Sequence, residues 1–267
     1  MNDGQTTPLF LLEKVDGDDV AERSDSPFNS DKTSVSNRTS PGQPKSSDNR
    51  PPVLLLFDGN AIVHRAFHAI QPLTVSRTGE VVNAVYGFTA TLLKVVGEIS
   101  PTYWGIAFDR PAPTFRHQIF ESYKEQRPPV PEDLRGQIER VRQVAAAFGI
   151  PQFEVDGFEA DDVLATIATQ ASKLGIETII VTGDADMLQL VSPNVKVLYP
   201  KRTFSEPVMF DEAGVREKYG LSPSQLADFK ALVGDISDNI PNIRGIGEKT
   251  AAALLRQFGS IEAIYQN

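Results

Sequence analysis

Hydrophobic positions are sparse through residues 1–52 and then fall abruptly into ordered runs. Residues 53–57 are apolar in succession, the pattern of a strand buried on both faces. Residues 84–99 carry helical periodicity, Pro101 breaks it, and 103–108 is a second strand-like run. Apolar residues recur near Leu134, Ile138, Val141, Val144 and Phe148, which predicts a helix over 134–148 closed by Gly149. Another helix is expected over 159–174, with Val163, Leu164, Ile167, Ala168, Ala171 and Leu174 on one side and Gly175 behind it. Further strands are expected at 177–182 and 195–199, and after Leu221 the pattern is helical only. Strands alternating with long helices predict an α/β fold with a mainly parallel central sheet flanked by helices. The chain divides accordingly into a tail, 1–52, an α/β core, 53–220, and a helical module, 221–267.

Composition refines this division. The tail holds eight serines and six prolines; such a segment cannot bury enough surface to offset its ordering entropy, so disorder is expected there. It has neither the basic start and apolar core of a signal peptide nor the composition of a mitochondrial presequence. No apolar run approaches the roughly 20 residues of a membrane span, so no membrane partner is expected. With no cysteine, disulfides and cysteine zinc sites are excluded, and a cytoplasmic location is expected. His64, His68 and His117 are expected in packing or at the surface rather than as ligands.

Nine carboxylates stand in five short clusters beside the apolar runs: Asp58, Asp109, Glu159-x-Asp161-Asp162, Asp184-x-Asp186 and Asp235-x-x-Asp238. Asp58, Asp109 and Asp184 each follow a strand, and open α/β sheets bind ligands beyond the carboxyl ends of their strands. Any one of these acids reads as a turn former; three on the same edge read as a site. Glu159, Asp161 and Asp162 open a helix, where the dipole favours negative charge by about 0.3–1 kcal/mol per group, but three acids in four residues also repel. A helical turn would aim Asp235 and Asp238 the same way. So many like charges call for cations, and an all-oxygen donor set suits hard divalent ions such as Mg²⁺ or Mn²⁺. Two such ions about 4 Å apart are a common device for phosphodiester cleavage.

The net charge of −9 does not exclude a nucleic-acid partner. Residues 53–267 carry 20 Lys and Arg against 26 Asp and Glu, and without the nine clustered acids the balance turns to +3. In 110–131, Arg110, Arg116, Lys124 and Arg127 alternate with Phe115, Phe120 and Tyr123, which suits either a single strand or an ordinary surface loop. Gly245-Ile246-Gly247-Glu248-Lys249 leads into a helix at 251–258, where free backbone N–H groups offer a phosphate site. An interhelical turn is the plainer explanation of those glycines taken alone.

Phe57-Asp58-Gly59-Asn60, Arg65-Ala66-Phe67-His68-Ala69, Val85-Tyr86-Gly87-Phe88, Thr114-Phe115-Arg116, Tyr123-Lys124, Arg127-Pro128-Pro129, Glu159-Ala160-Asp161-Asp162-Val163, Thr182-Gly183-Asp184-x-Asp186 and Gly234-Asp235-x-Ser237-Asp238-Asn239-Ile240-Pro241 stand in this order. Together with the glycine hairpin, they resemble the 5′→3′ exonuclease domain of bacterial DNA polymerase I, from about Val53 to the C-terminus. The resemblance implies a PIN-like 5′-nuclease fold with a helix-hairpin-helix module. It implies a flap endonuclease acting on a 5′ flap or 5′ end beside duplex DNA, in replication and repair. It places all nine acids around two Mg²⁺ ions and makes Arg65, Lys124 and Arg127 catalytic, the last two in a helical arch. Arg116, Tyr123, Gly245, Gly247 and Lys249 would bind DNA, with a K⁺ ion at the hairpin. A monomer is expected, joined to or working with a polymerase domain. The family pattern continues beyond the position of Asn267, into closing helices of the nuclease domain. Ala185 stands where many relatives have lysine, and His64 where tyrosine is common.

Other chemistries fit less well. Phosphoryl transfer through Asp58 would want a second acid close behind, and Gly59-Asn60-Ala61 offers none. A non-catalytic DNA-binding module gains nothing from nine acids that repel phosphate, and a PIN-like ribonuclease does not need the glycine hairpin.

Overall fold

The computed structural model describes residues 51–200 and 207–267. The expected disorder of the tail concerns residues that lie almost wholly outside this range. The chain opens on strand β1 (Val53–Asp58), helix α1 (Gly59–Ala69), helix α2 (Asn83–Ile99) and strand β2 (Tyr103–Ala107). Helices α3 (Phe115–Ile119) and α4 (Glu132–Ala147), strand β3 (Gln152–Phe153), helix α5 (Ala160–Lys173) and strand β4 (Glu177–Val181) follow. Strands β5 (Val195–Tyr199) and β6 (Val208–Phe210) and helix α6 (Glu212–Tyr219) complete the core; α7 (Leu226–Val233), α8 (Glu248–Phe258) and α9 (Ile261–Tyr265) form the helical end.

The six strands lie in the order β3-β2-β1-β4-β5-β6. All pair in parallel except β6, which runs antiparallel to β5. The unbroken apolar run of β1 follows from its place at the centre. Leu55 and Phe57 face one core with α1, α2 and α4, while Leu54 and Leu56 face another with α5, α6 and α7. Each of these four side chains is fully buried, stabilising the fold by about 1.5–3 kcal/mol apiece. Ser100 adopts a left-handed conformation at the end of α2 and Pro101 follows, which accounts for the sharp stop before β2.

Several elements depart from the sequence expectation, among them the short helices α3 and α6. Helix α1 follows β1 without a break, although only Gly59, Ile62, Val63 and Ala66 are buried on it. Strand β3 has two residues and β6 three, too short to leave a period. The helical end has its own apolar centre, built from Leu221, Phe229, Leu232, Ala251, Ala252 and Leu255.

Candidate active site

Because the sheet order turns at β1, the chain leaves a crevice at the carboxyl ends of β1, β2 and β4. Asp58, Asp109 and Asp184 stand there. They line a cavity of about 510 Å³ together with Glu159, Asp161, Asp162, Asp186 and Asp238. Eight of the nine acids singled out in the sequence thus share one space, walled on the far side by Arg116, Tyr123, Lys124 and Arg127.

Four of the acids are held by local structure. Asp58 is almost wholly buried, at 3% exposure, and caps α1 by accepting the Ala61 N–H at 2.9 Å. Its other oxygen accepts the buried Thr182 hydroxyl at 2.6 Å. A β-carbon on Gly59 would meet the Phe108 ring and the Ala107 carbonyl, so only glycine lets α1 start this close to β2. Asp109 accepts the Ala160 N–H at 2.8 Å, tying β2 to the start of α5. Asp162 accepts the Glu159 N–H one turn earlier at 3.0 Å. Asp184 accepts the Asp186 N–H at 2.8 Å.

The acids divide by partner. Asp58, Asp109, Asp161 and Asp184 have no basic partner among the described residues, and the Asp161 carboxylate makes no hydrogen bond. Burial, then repulsion from Asp58, Asp184, Asp109 and Glu159, pushes the Asp161 carboxyl well above the ordinary range. Burial likewise raises Asp58, outweighing its bonds to Thr182 and Ala61, with Asp109 and Asp184 adding repulsion. The outer acids are neutralised. Arg116 grips Asp162 through two bonds of 2.7 and 2.8 Å. Lys124 reaches Glu159 at 2.8 Å, and Arg127 reaches Asp238 at 2.7 Å. Lys230 bridges Asp186 and Asp235 at 2.8 and 2.7 Å.

The segment over the cavity is more ordered than a mobile loop. Its turn locks onto 235–239: the Lys124 N–H donates to the Asp238 carbonyl, Arg127 Nε to the Ser237 carbonyl, and Asn239 Nδ2 to the Ser122 carbonyl. Lys124 takes a left-handed backbone to do so, at φ 57°. Tyr123 is buried, its hydroxyl 3.1 Å from both Glu159 and Asp238. Its ring packs against His117 and Lys124. Arg110 turns away to Glu154 and Asp156.

One further expectation needs correction. Asp235 and Asp238 do not aim the same way, because the 3-10 turn Ile236–Asp238 sends Asp235 to Lys230 and Ser237 and Asp238 to the arch. Asp235 is not among the cavity-lining residues. Arg65 also lies outside the lining; its guanidinium stacks 5.0 Å over Tyr199, and its buried Nε has no hydrogen-bond partner. The hairpin residues Gly245, Gly247 and Lys249 are exposed and apart from the cavity.

Sequence reasoning missed Lys230 and gave no site role to Thr182 or to His64, which lines the cavity and whose pKa is lowered by burial and by His68. The threonine hydroxyl on Asp58 has a signal, since it ends a buried strand just before Gly183-Asp184. Lys230 has none.

The donor set fits a hard cation. The four carboxylates without basic partners supply oxygen alone, and burial with mutual repulsion makes charge neutralisation favourable. Among the described residues no three His, Asp or Glu side chains stand close enough together to hold a metal ion as they are placed.

Residues 53–220 match the family model of the 5′-3′ exonuclease N-terminal resolvase-like domain, and residues 221–267 that of the 5′-3′ exonuclease C-terminal SAM fold. The chain is 46% identical over 223 residues to DNA polymerase I of Mycobacterium bovis, covering 83% of this chain and 25% of that protein. It is 46% identical over 214 residues to the thermostable DNA polymerase I of Thermus thermophilus, covering 80% and 25%. The chain thus spans about a quarter of the length of these relatives. Among solved structures, a bacteriophage T5 flap endonuclease in a pseudo-enzyme–product complex with DNA and metal ions gives a TM-score of 0.64 at 21% identity, over 80% of this chain and 78% of that one. At that identity the likeness is one of fold. No helix among the described residues is long and apolar enough to cross a membrane. The two domains of one nuclease family follow each other along the chain over the α/β layer and the helical end, with the acids gathered at the crevice of the first, and the protein belongs to the 5′-3′ exonuclease family.

Proposed function

We propose that the chain hydrolyses DNA phosphodiesters as a structure-selective 5′→3′ exonuclease and flap endonuclease, using two divalent cations, Mg²⁺ or in its place Mn²⁺. The observation that carries this reading is the set of four carboxylates, Asp58, Asp109, Asp161 and Asp184, that share a cavity without a basic partner and face a wall of cations. These four would hold the ions, with Asp186 beside them. Bound cations would supply Lewis-acid stabilisation of the negative charge that develops on the phosphoryl group.

The chain's own residues do the rest. Asp58 is fixed by Ala61 and Thr182, which orients its carboxylate and disfavours its use as a covalent nucleophile. Lys124 and Arg127, on leaving Glu159 and Asp238, would meet the phosphodiester and stabilise its developing charge. Arg116 remains bound to Asp162 and braces the arch against the start of α5. Backbone N–H groups at the Gly247 start of α8, with exposed Arg244 and Lys249, suit duplex phosphates. A K⁺ ion at this hairpin, a monomeric state, a cytoplasmic location and a polymerase domain as partner belong to the same reading. It draws support from the polymerase relatives and from the T5 enzyme, whose structure contains DNA and metal ions.

A 5′-labelled flap duplex and a matched single-stranded RNA, each incubated with Mg²⁺ and with excess chelator, test the reading. Flap cleavage that needs Mg²⁺ and is lost in Asp184→Asn with binding retained is the expected result. Full flap cleavage in chelator, or cleavage of the RNA alone, overturns it.

A further inference from the structure

Lys230 is a cation that neither the arch nor the DNA-facing hairpin accounts for. It projects from α7, and its ammonium stands 2.8 Å from Asp186 Oδ1 and 2.7 Å from Asp235 Oδ2. Asp186 starts the 3-10 turn Asp186–Leu190 and lines the cavity; Asp235 follows α7 and lies behind that lining. The second oxygen of Asp235 is occupied twice, by the Ser237 N–H at 2.8 Å and the Ser237 hydroxyl at 2.6 Å. Asp235 is therefore satisfied by groups of the protein. The cations of the arch pair elsewhere, with Asp162, Glu159 and Asp238. Among the described residues, Lys230 alone neutralises this side of the site.

We infer that Lys230 is a positioning residue that acts as the resident positive charge between Asp186 and Asp235 and competes with a divalent cation for Asp186. The inference rests on the reading that the cavity acids hold divalent cations. It assigns Asp235 to anchoring the lysine. It also makes the two cation positions unequal. Among the described residues, an ion at Asp58, Asp109, Asp161 and Asp184 would meet no basic partner of those acids, whereas an ion drawn to Asp186 would have to displace the ammonium or bind against its repulsion.

Mn²⁺ binding to the full chain, measured by calorimetry without DNA, tests this directly. The wild type should bind one ion more tightly than the second. Lys230→Met keeps the side-chain length and removes the charge. It should tighten the weaker binding by about tenfold, the size expected for removing a unit charge a few ångströms from a divalent ion in partly screened surroundings. Lys230→Arg should retain wild-type binding, a rescue that a purely packing role would not require. A second measurement needs no variant: labelling of wild-type lysines with an amine reagent, read by mass spectrometry, should show Lys230 becoming more reactive as Mn²⁺ saturates. Unchanged or weaker binding in the methionine variant overturns the inference, as does labelling that Mn²⁺ leaves unaltered. Those results would leave the nuclease reading standing. Absence of any Mn²⁺ binding by the wild type would remove both.

Discussion

The Lys124 ammonium stands 2.8 Å from Glu159 Oε1, so the arch lysine and an acid at the start of α5 neutralise each other across the mouth of the cavity. Lys124 also lies over the Tyr123 ring, and its own N–H holds the Asp238 carbonyl. The arch is thereby fastened on two sides, to α5 and to the loop after α7. On the proposed function, a phosphodiester in the cavity would offer these cations a new anionic partner in exchange for Glu159 and Asp238.

Lys124→Ala should accordingly depress the single-turnover rate of flap cleavage by about 10²-fold, the usual effect of removing one donor to developing charge. Flap affinity should change far less, because in the ground state any phosphate contact of Lys124 is offset by the Glu159 contact it gives up. Measured rates and dissociation constants separate the two effects. Equal losses in rate and affinity would make Lys124 a docking residue.

The metal-free protein should lose stability as pH rises through neutrality. Burial first, then mutual repulsion, raises Asp58 and Asp161 above the unfolded carboxylate value of about 3.9. Above that value, the folded state holds protons that the unfolded chain has released, so stability must fall with pH until both acids are ionised. Asp235 behaves oppositely: despite burial, Lys230 and Ser237 hold it down to about 2, so its contribution is lost only below the ordinary carboxylate range. Melting temperatures in chelator at pH 5, 7 and 9 should therefore decline, and Mg²⁺ or Mn²⁺ should restore stability most at the highest pH. A flat profile in chelator with no effect of metal would contradict the cavity electrostatics.

Much of this arrangement was visible in the residue pattern for a physical reason. Strands buried on both faces read as plain apolar runs, so 53–57 and 177–182 announced themselves, and the acids after them had to fall on one edge of a parallel sheet. Helix α1 escaped because its buried stripe is short, with only Gly59, Ile62, Val63 and Ala66 on it and polar residues on its other faces. Strand β6 was hidden by its brevity. Charge pairing was the least legible part. Lys230 meets Asp186 across 44 positions, and Arg116 meets Asp162 across 46; no local spacing encodes such pairs. The same holds for Asp235, whose neighbour Asp238 looks equivalent in the sequence and faces the opposite way in the fold.

Gly234 should tolerate no side chain. At φ +77°, a β-carbon there would lie 2.6 Å from the Asn242 nitrogen and 2.8 Å from the Ile240 carbonyl, both backbone atoms that cannot swing aside. Gly234→Ala should destabilise the protein by roughly 3 kcal/mol through strain and overlap. Gly245 also has positive φ, at +86°, but meets nothing within 4 Å; Gly245→Ala should cost only about 1 kcal/mol. Denaturant midpoints for the two variants check the contrast, and similar losses would show that the turn after α7 can relax.

Gly247 permits a cleaner test of the hairpin. Its φ is −101°, ordinary for any residue, and a β-carbon there would meet nothing within 4 Å. The fold itself therefore does not require glycine, although Gly247 caps α8 and leaves the first N–H groups of that helix without a side-chain acceptor. If those groups receive a duplex phosphate, Gly247→Val should keep the melting temperature nearly unchanged while weakening flap binding. A short single strand that reaches only the acid cavity should bind as before. Loss of one phosphate contact also releases fewer counterions, so the slope of log affinity against log salt should become shallower by about one unit. Equal binding of flap and single strand by wild type and variant would reduce the hairpin to a turn between helices.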